Sequence, residues 1–403
     1  MYRKEVIPPA DVRWVYLRGD DVLDHLSLLY PGSICPDLTG GYLRTIPLAK
    51  LVRDDFIEVN IYTTDENKKY HGQIDGINII QDKKFNGSLD KFVYYFNGLF
   101  SNNFNLKVPE CALDNIDDTL FQLEGPYFYN FIKKTNIDRF ILDEHNIYWE
   151  LQEFPSSDPK ELVYNTISGA RNKKIELEAL NAADHVLVCS KRDKQLILAH
   201  LPHIVDKITV IPNCVFASEY SQYIMDASVK NRDNEPCSVL FVGSLSYAPN
   251  IDAVRIICSR IAPVFGDEVQ FLIVGKNPPD IPRPSNVNFV GYVDDVKEYI
   301  MKSDICIAPL RYGSGTRLKI LEYMAMGKPI VSTSKGAEGI DYTENKDIII
   351  EDDLDAFSEK IRILLDDRRL RINLGKNAMD LIQQKYDWEI YRKTLHEVYE
   401  ACR

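Results

Sequence analysis

Between residues 237 and 352, short runs of continuously apolar residues alternate with helical patterns. This alternation restricts the fold more than any other property of the chain. "CSVLFVG" (237–243), "VQFLIVG" (269–275), "VNFVG" (287–291), "DICIAPL" (304–310), "PIVST" (329–333) and "DIIIED" (347–352) read as strands. "NIDAVRIICSRIAPVF", "VDDVKEYIMKS", "TRLKILEYMAMG" and "LDAFSEKIRILLDD" read as the helices between them. Strands that are apolar on both faces need a covering layer on each side, as in a parallel sheet flanked by helices. The pattern predicts an α/β, doubly wound, Rossmann-like domain whose ligand lies beyond the carboxyl ends of the strands.

A looser α/β pattern fills the first half. "LSLLYP" is followed by "LTGGYLRTIPLAKLV" (38–52) and "IEVNIYT" (57–63), a strand, glycine loop, helix and strand in turn. "FILDEHN" (140–146) and "HVLVCS" (185–190) read as further strands, separated by an amphipathic stretch that ends in "ARNKKIELEALNAAD" (170–184). The strands of region 64–139 are not individually legible, and its aromatic tract "FVYYFNGLFSNNF" (92–104) reads as core. The non-alternating segment 212–236 reads as a linker. The expected division is therefore a Rossmann-like domain over 1–211, the linker over 212–236, a second Rossmann-like domain over 237–385 and a tyrosine-rich terminal helix over 386–403 that packs back on the first domain. Two domains suit a chain of 403 residues, and the cleft between them is the natural binding site.

Composition narrows the classes. Hydrophobic residues at 45% and charged residues at 27% are globular values. The net charge of −12 argues against a general nucleic-acid binder, although it does not report on a local basic pocket. The 8 cysteines include no C-x-x-C pair or zinc-like spacing, and read as buried thiols of a reducing compartment. The N-terminus "MYRKEVIPPADVRW" has no apolar core of a signal peptide, and no apolar run reaches the roughly 18 residues that a membrane span needs. A cytoplasmic protein is expected, with peripheral contact at the inner membrane face left open.

The stretch "CIAPLRYGSGTRLKILEYMAMGKPIVSTSKGAEG" carries the densest chemistry. Gly313, Ser314, Gly315 and Thr316 fall at a helix N-terminus, where free N–H groups and the dipole favour an anion. Arg317 offers a forked donor set and Lys319 a point charge, both suited to phosphate. The Glu322 carboxylate can accept hydrogen bonds from the hydroxyls of a ribose or sugar. The competing reading is a glycine turn followed by a solvated Lys319–Glu322 pair. The G-x-G-x-x-G dinucleotide fingerprint is absent from the start of this domain. Elsewhere, His145 follows a strand, Gly40 and Gly41 form a loop after the first strand, and Arg44 is placed to steer an anionic group. Gly336 and Glu338 follow another strand, and Asn213 reads as a turn residue. The paired aspartates read as caps and surface, so no metal site is expected.

With these motifs in order, the second half resembles the group 1 glycosyltransferases, a large retaining family with the GT-B fold. "FVGSLSYAPNIDAV", "LIVG", "VNFVGYVDDV", "SDICIAPL", "GSGTRLKILEYMAMGKPIVST" and "GAEGI" carry the resemblance; "GGYLRTIPLAKL", "DEHN", "ADHVLVCS" and "VIPNCV" match more loosely in the first half. The resemblance implies that Glu322 holds the nucleotide ribose, that His145 stands near the donor sugar, and that Gly243, Ser244, Gly336 and Glu338 lie near the donor. The family carries two glutamates eight positions apart; Glu322 resembles the second, and the place of the first is Ser314 here, as in a subgroup reading G-S-G-T-R-L-K. An arginine and a lysine usual after the first strand of the domain are replaced by Ser244 and approximately Asn250. Arg317 and Lys319 are then expected to meet the diphosphate charge.

The function so implied is transfer of a sugar, with retention, from a UDP- or GDP-type donor to a hydroxyl of a glycan, a lipid-linked glycan or a small molecule. The nucleotide-sugar is a substrate, and no cofactor is expected. Competing expectations are a GT-B nucleotide-sugar 2-epimerase, a non-catalytic nucleotide-sugar-binding protein and, disfavoured by the missing fingerprint, a dehydrogenase.

Overall fold

In a computed structural model the chain folds into two α/β units joined by two adjacent crossings. Described are residues 23–31, 42–63, 70–81, 110–113, 115–135, 137, 139–151, 159–223, 236–313 and 317–403. The first unit is built on an eight-stranded sheet: β1 (His25–Tyr30), β2 (Glu58–Thr63), β3 (Tyr70–Ile74), β4 (Ile77–Gln81), β5 (Thr119–Glu124), β6 (Phe140–Glu144), β7 (His185–Val188) and β8 (Ile208–Val210). Their order is β3-β4-β2-β1-β5-β6-β7-β8, and all neighbours are parallel except β3 and β4. β3 and β4 are joined by a tight turn with Asp75 and Gly76 both at positive φ, the backbone of a two-residue hairpin. They account for part of the region that resisted reading. β8, only three residues long, had no legible strand signal.

The second unit holds β9 (Cys237–Val242), β10 (Val269–Val274), β11 (Val287–Gly291), β12 (Ile305–Ala308), β13 (Ile330–Ser332) and β14 (Ile349–Ile350). The order β11-β10-β9-β12-β13-β14 is the doubly wound 3-2-1-4-5-6 arrangement, parallel throughout. Its direction of winding reverses between β9 and β12, so the crevice of this domain opens beyond Val242 and Ala308. The central strands are apolar on both faces because helices cover both: Val239, Phe241, Phe271, Ile305 and Ile307 are all fully buried.

Two chain segments cross side by side between the units. Val215 N–H donates to the Tyr386 carbonyl at 3.0 Å, and Trp388 N–H donates to the Val215 carbonyl at 3.1 Å. The helix Arg368–Lys385 backs onto the second unit, where Gly375 and Gly327 approach so closely that a Cβ on Gly375 would lie 2.0 Å from the Gly327 carbonyl oxygen. The terminal helix Trp388–Cys402 then lies on the first unit against the helix Tyr42–Val52. Its Arg392 donates to the Leu51 carbonyl at 3.1 Å, and His396 pairs with Asp55 at 2.9 Å. No described helix is long and apolar enough to cross a membrane.

Candidate active site

Candidate residues of both units lie at the carboxyl ends of their sheets, His145 after β6 and Gly243 after β9. At the switch point of the second sheet, β9 runs into Gly243 and β12 runs toward Gly313. The helix Leu318–Ala325 begins with Arg317 as its N-cap, without a side-chain capping bond. It therefore starts later than the sequence pattern indicated. Its apolar stripe of Ile320, Leu321, Tyr323, Met324 and Ala325 is buried against the sheet. That packing leaves Glu322 facing the interdomain cavity, while Lys319 reaches Asn250 within the second unit.

Lys319 is part-buried and not a solvated surface charge. Its Nζ donates to Asn250 Oδ1 at 2.8 Å and lies 4.3 Å from the centre of the Phe241 ring. The Asn250 amide is held in turn by the Ser244 carbonyl at 2.9 Å. The lack of a side chain at Gly243 makes room for both, because a Cβ there would lie 2.8 Å from the Lys319 ammonium. Burial, then the neighbouring Arg317, push Lys319 down to about 7. Arg317 is 7% exposed, and its guanidinium lies against Gly313, whose φ is +109°. Two cationic side chains thus crowd one crevice, which suits a dianionic guest. Arg311, six residues before Arg317, is tied to Asp252 at 2.5 and 2.8 Å.

Glu322 faces a cavity of about 320 Å³ between the units, lined also by Tyr220, Lys297, Leu318, Pro47 and Trp388. Burial pushes the Glu322 carboxyl up to about 7, against the pull of Lys297 and Lys319. The Tyr220 hydroxyl interacts with this carboxylate, and Lys297 sits 4.8 Å above the Tyr220 ring. No sequence signal marked Tyr220, which lies in the segment read as a linker.

On the opposite side, His145 follows β6. Its Nε2 lies 2.6 Å from Glu124 Oε2 and 3.4 Å from Asp143 Oδ2. Burial alone would lower the imidazole, but hydrogen bonds to Asp143 and Glu124 outweigh it and hold the group at about 9. His145 is therefore a charged donor at neutral pH. Glu124 and Asp143 reach it from adjacent parallel strands, β5 and β6, a register that sequence spacing does not reveal.

Arg44 needs correction as an anion-steering residue. It is 1% exposed and forms a forked pair with Asp143, with its Nη2 at 2.6 Å from Oδ1 and its Nε at 2.8 Å from Oδ2. It also donates to the Ile211 carbonyl at 2.8 Å and to Asn213 Oδ1 at 3.1 Å. With its donors committed to the interior, it braces the crossing at Asn213 and does not face a ligand. Asp143, despite burial, is held down to about 2 by Arg44 and His145.

Beyond β13, the Gly336 N–H donates to Thr333 Oγ1 at 2.9 Å, and a Cβ on Gly336 would stand 2.4 Å from the Ala308 carbonyl oxygen. Glu338 pairs with Lys335 at 2.9 Å and lies within electrostatic reach of Arg192 on the first unit. Gly40, Gly41, Ser314, Gly315 and Thr316 lie outside the described residues, as does the aromatic tract 92–104.

Two Rossmann-like units with facing carboxyl ends and a helix that returns to the first unit define a GT-B protein. Sucrose-phosphate synthase from Thermosynechococcus elongatus has the same architecture, with a TM-score of 0.65 at 17% identity over 93% of this chain and 98% of that one. So does HepE from Anabaena, solved in complex with UDP and glucose, with a TM-score of 0.59 at 14% identity over 92% of this chain and 98% of that one. At these identities the likeness speaks to the fold. Residues 236–367 match the family model described as glycosyl transferases group 1. A Campylobacter jejuni N,N'-diacetylbacillosaminyl-diphospho-undecaprenol alpha-1,3-N-acetylgalactosaminyltransferase is 32% identical over 158 residues. That match covers 34% of this chain and 39% of the relative's length.

Proposed function

We propose that the protein transfers a sugar from a nucleoside-diphosphate donor to an acceptor hydroxyl, with retained anomeric configuration. The observation that carries this reading is the helix Leu318–Ala325, which starts at the sheet's switch point and turns Lys319 toward a cationic crevice and Glu322 toward a cavity of about 320 Å³. The diphosphate belongs at the first and the nucleoside at the second. The group 1 match over residues 236–367 supports it.

As the donor's glycosidic bond breaks, negative charge builds on the phosphate and positive charge on the sugar. Arg317 and Lys319 stabilise the former by preorganised electrostatics, which are worth more in a crevice that excludes water. Glu322 accepts hydrogen bonds from ribose hydroxyls. His145, charged and held by Glu124, donates to an oxygen of the donor sugar. A phosphate oxygen on the same face takes the acceptor proton, so no second carboxylate is required. The reading assigns no metal, because the two cations meet the diphosphate charge.

The acceptor falls to the first unit. The Campylobacter jejuni relative, named for a diphospho-undecaprenol substrate, supports a lipid-linked glycan over a free small molecule, and with such an acceptor the protein works at a membrane face.

A thermal-shift screen of nucleotide-sugars tests the donor assignment, because a ligand bound only by the folded state raises its melting temperature. UDP or GDP is expected to stabilise the protein and to lose that effect in Arg317→Ala and Lys319→Ala. Unchanged affinity in both variants rejects the diphosphate assignment.

A further inference from the structure

Tyr399 lies on the terminal helix, yet its side chain reaches into the first unit and is fully buried. Its hydroxyl meets Gln122 Oε1. Gln122 and Glu124 are two residues apart on β5 and therefore share a face of the sheet. Gln122 Nε2 donates to Glu124 Oε1 at 2.6 Å, and the other carboxylate oxygen receives Thr45 Oγ1 at 2.7 Å and faces His145 Nε2 at 2.6 Å. Gln122 and Glu124 are 0% and 1% exposed, so no water competes for these groups.

The direction of this chain is set by its chemistry. The Glu124 carboxylate accepts from Thr45 and Gln122, so the Gln122 amide must turn its NH₂ toward Glu124 and its carbonyl toward the helix. That carbonyl then needs a donor, and the Tyr399 O–H supplies it. Phenylalanine would fill the same volume, and the Phe56 ring already packs edge-on against Tyr399 at 6.1 Å. The hydroxyl is therefore what the network uses beyond packing.

We infer that Tyr399 is a positioning residue for His145, acting through Gln122 and Glu124; the inference rests on the reading of His145 as part of the transfer site. The other charged group facing the imidazole is Asp143, paired with Arg44; the Cys189 thiol lies against the Glu144 and His145 backbone carbonyls. The Tyr399 hydroxyl bonds Gln122, so its hydrogen-bonded route to the imidazole runs through the Glu124 side. The same terminal helix starts at Trp388, which lines the cavity that Glu322 faces. One rigid element therefore touches both halves of the site.

The test is Tyr399→Phe in the full chain, with Gln122→Leu as a second break in the same chain. The imidazole of His145 is titrated by NMR on protein labelled at histidine, assigned by its loss in His145→Gln, and transfer is assayed with the donor that the thermal-shift screen identifies. In Tyr399→Phe, the His145 titration is expected to fall toward the ordinary histidine range, because a less firmly held Glu124 loses part of its contact with Nε2. A roughly fivefold to tenfold drop in kcat is expected, the size of one buried hydrogen bond, with donor KM unchanged. Gln122→Leu should do the same, and the double variant should be no worse than either single. An unchanged titration and kcat in Tyr399→Phe overturns the inference. If the titration moves but His145→Gln retains full transfer activity, the relay stands and His145 loses its place in the transfer site.

Discussion

The Lys319 ammonium donates to Asn250 Oδ1 at 2.8 Å over the Phe241 ring, with no carboxylate of a described residue at salt-bridge distance. The position that the family resemblance assigns to a basic residue thus holds an acceptor for a lysine supplied by another helix. The charge is kept within the crevice and comes from a different element.

Such a cation is a cost to the empty protein. Its folded value of about 7 lies below that of an exposed lysine, so the unfolded chain binds the proton more tightly between about 7 and 10.5. The penalty is complete below pH 7 and is relieved as the pH rises to the unfolded value. Lys319→Met is therefore expected to stabilise the unliganded protein by about 1 kcal/mol at pH 6.5, with less gain at pH 9, while abolishing nucleotide-diphosphate binding. Urea melts at both pH values and calorimetric titration with UDP and GDP check the two halves of this prediction.

Glu322 obeys the opposite sign. Its folded value, about 7, is raised above the ordinary 4.5, so the folded protein holds the extra proton between these values and loses stability as pH rises through them. Glu322→Gln should leave stability unchanged at pH 4.5 and increase it at pH 7.5, which melting curves across that range will measure. Glu322→Ala should weaken nucleoside binding about tenfold, the loss of a charge-assisted hydrogen bond.

The Glu124–His145 pair contributes stability in another window. The imidazole is raised to about 9, so the contribution is fully present below about 6.5 and is lost as pH rises through 9. Glu124→Gln leaves the imidazole buried without its carboxylate, and should cost about 3 kcal/mol at pH 6 and markedly less at pH 10. Equilibrium urea unfolding at the two pH values decides it.

Arg44 separates bracing from binding. Arg44→Met leaves the buried Asp143 carboxylate with only the 3.4 Å contact to His145 and should destabilise the protein by about 3–5 kcal/mol. Nucleotide affinity, measured at a temperature where the variant remains folded, should be unchanged. A selective loss of affinity without loss of stability would restore Arg44 to the ligand site.

Much was legible from the chain alone. The strands of the C-terminal domain announce themselves because a doubly covered parallel strand must be apolar on both faces, and their helices because each must bury a stripe. The cluster Gly313, Arg317, Lys319 and Glu322 is local, within a few residues of one helix start, so its grouping could be read without a fold. What the chain could not disclose depends on groups distant in sequence. Arg44 looked available for a ligand until the sheet brought Asp143, 99 positions away, against it. Glu124 gained meaning only when parallel pairing set β5 beside β6, Tyr220 only when the crossing folded over Glu322, and Tyr399 only when the terminal helix returned to the first unit. Residue type and spacing determine which elements form and which groups can bear charge. Burial and cross-strand register, which come from the packed whole, decide which of those groups are spent on holding the structure and which remain turned toward the cleft.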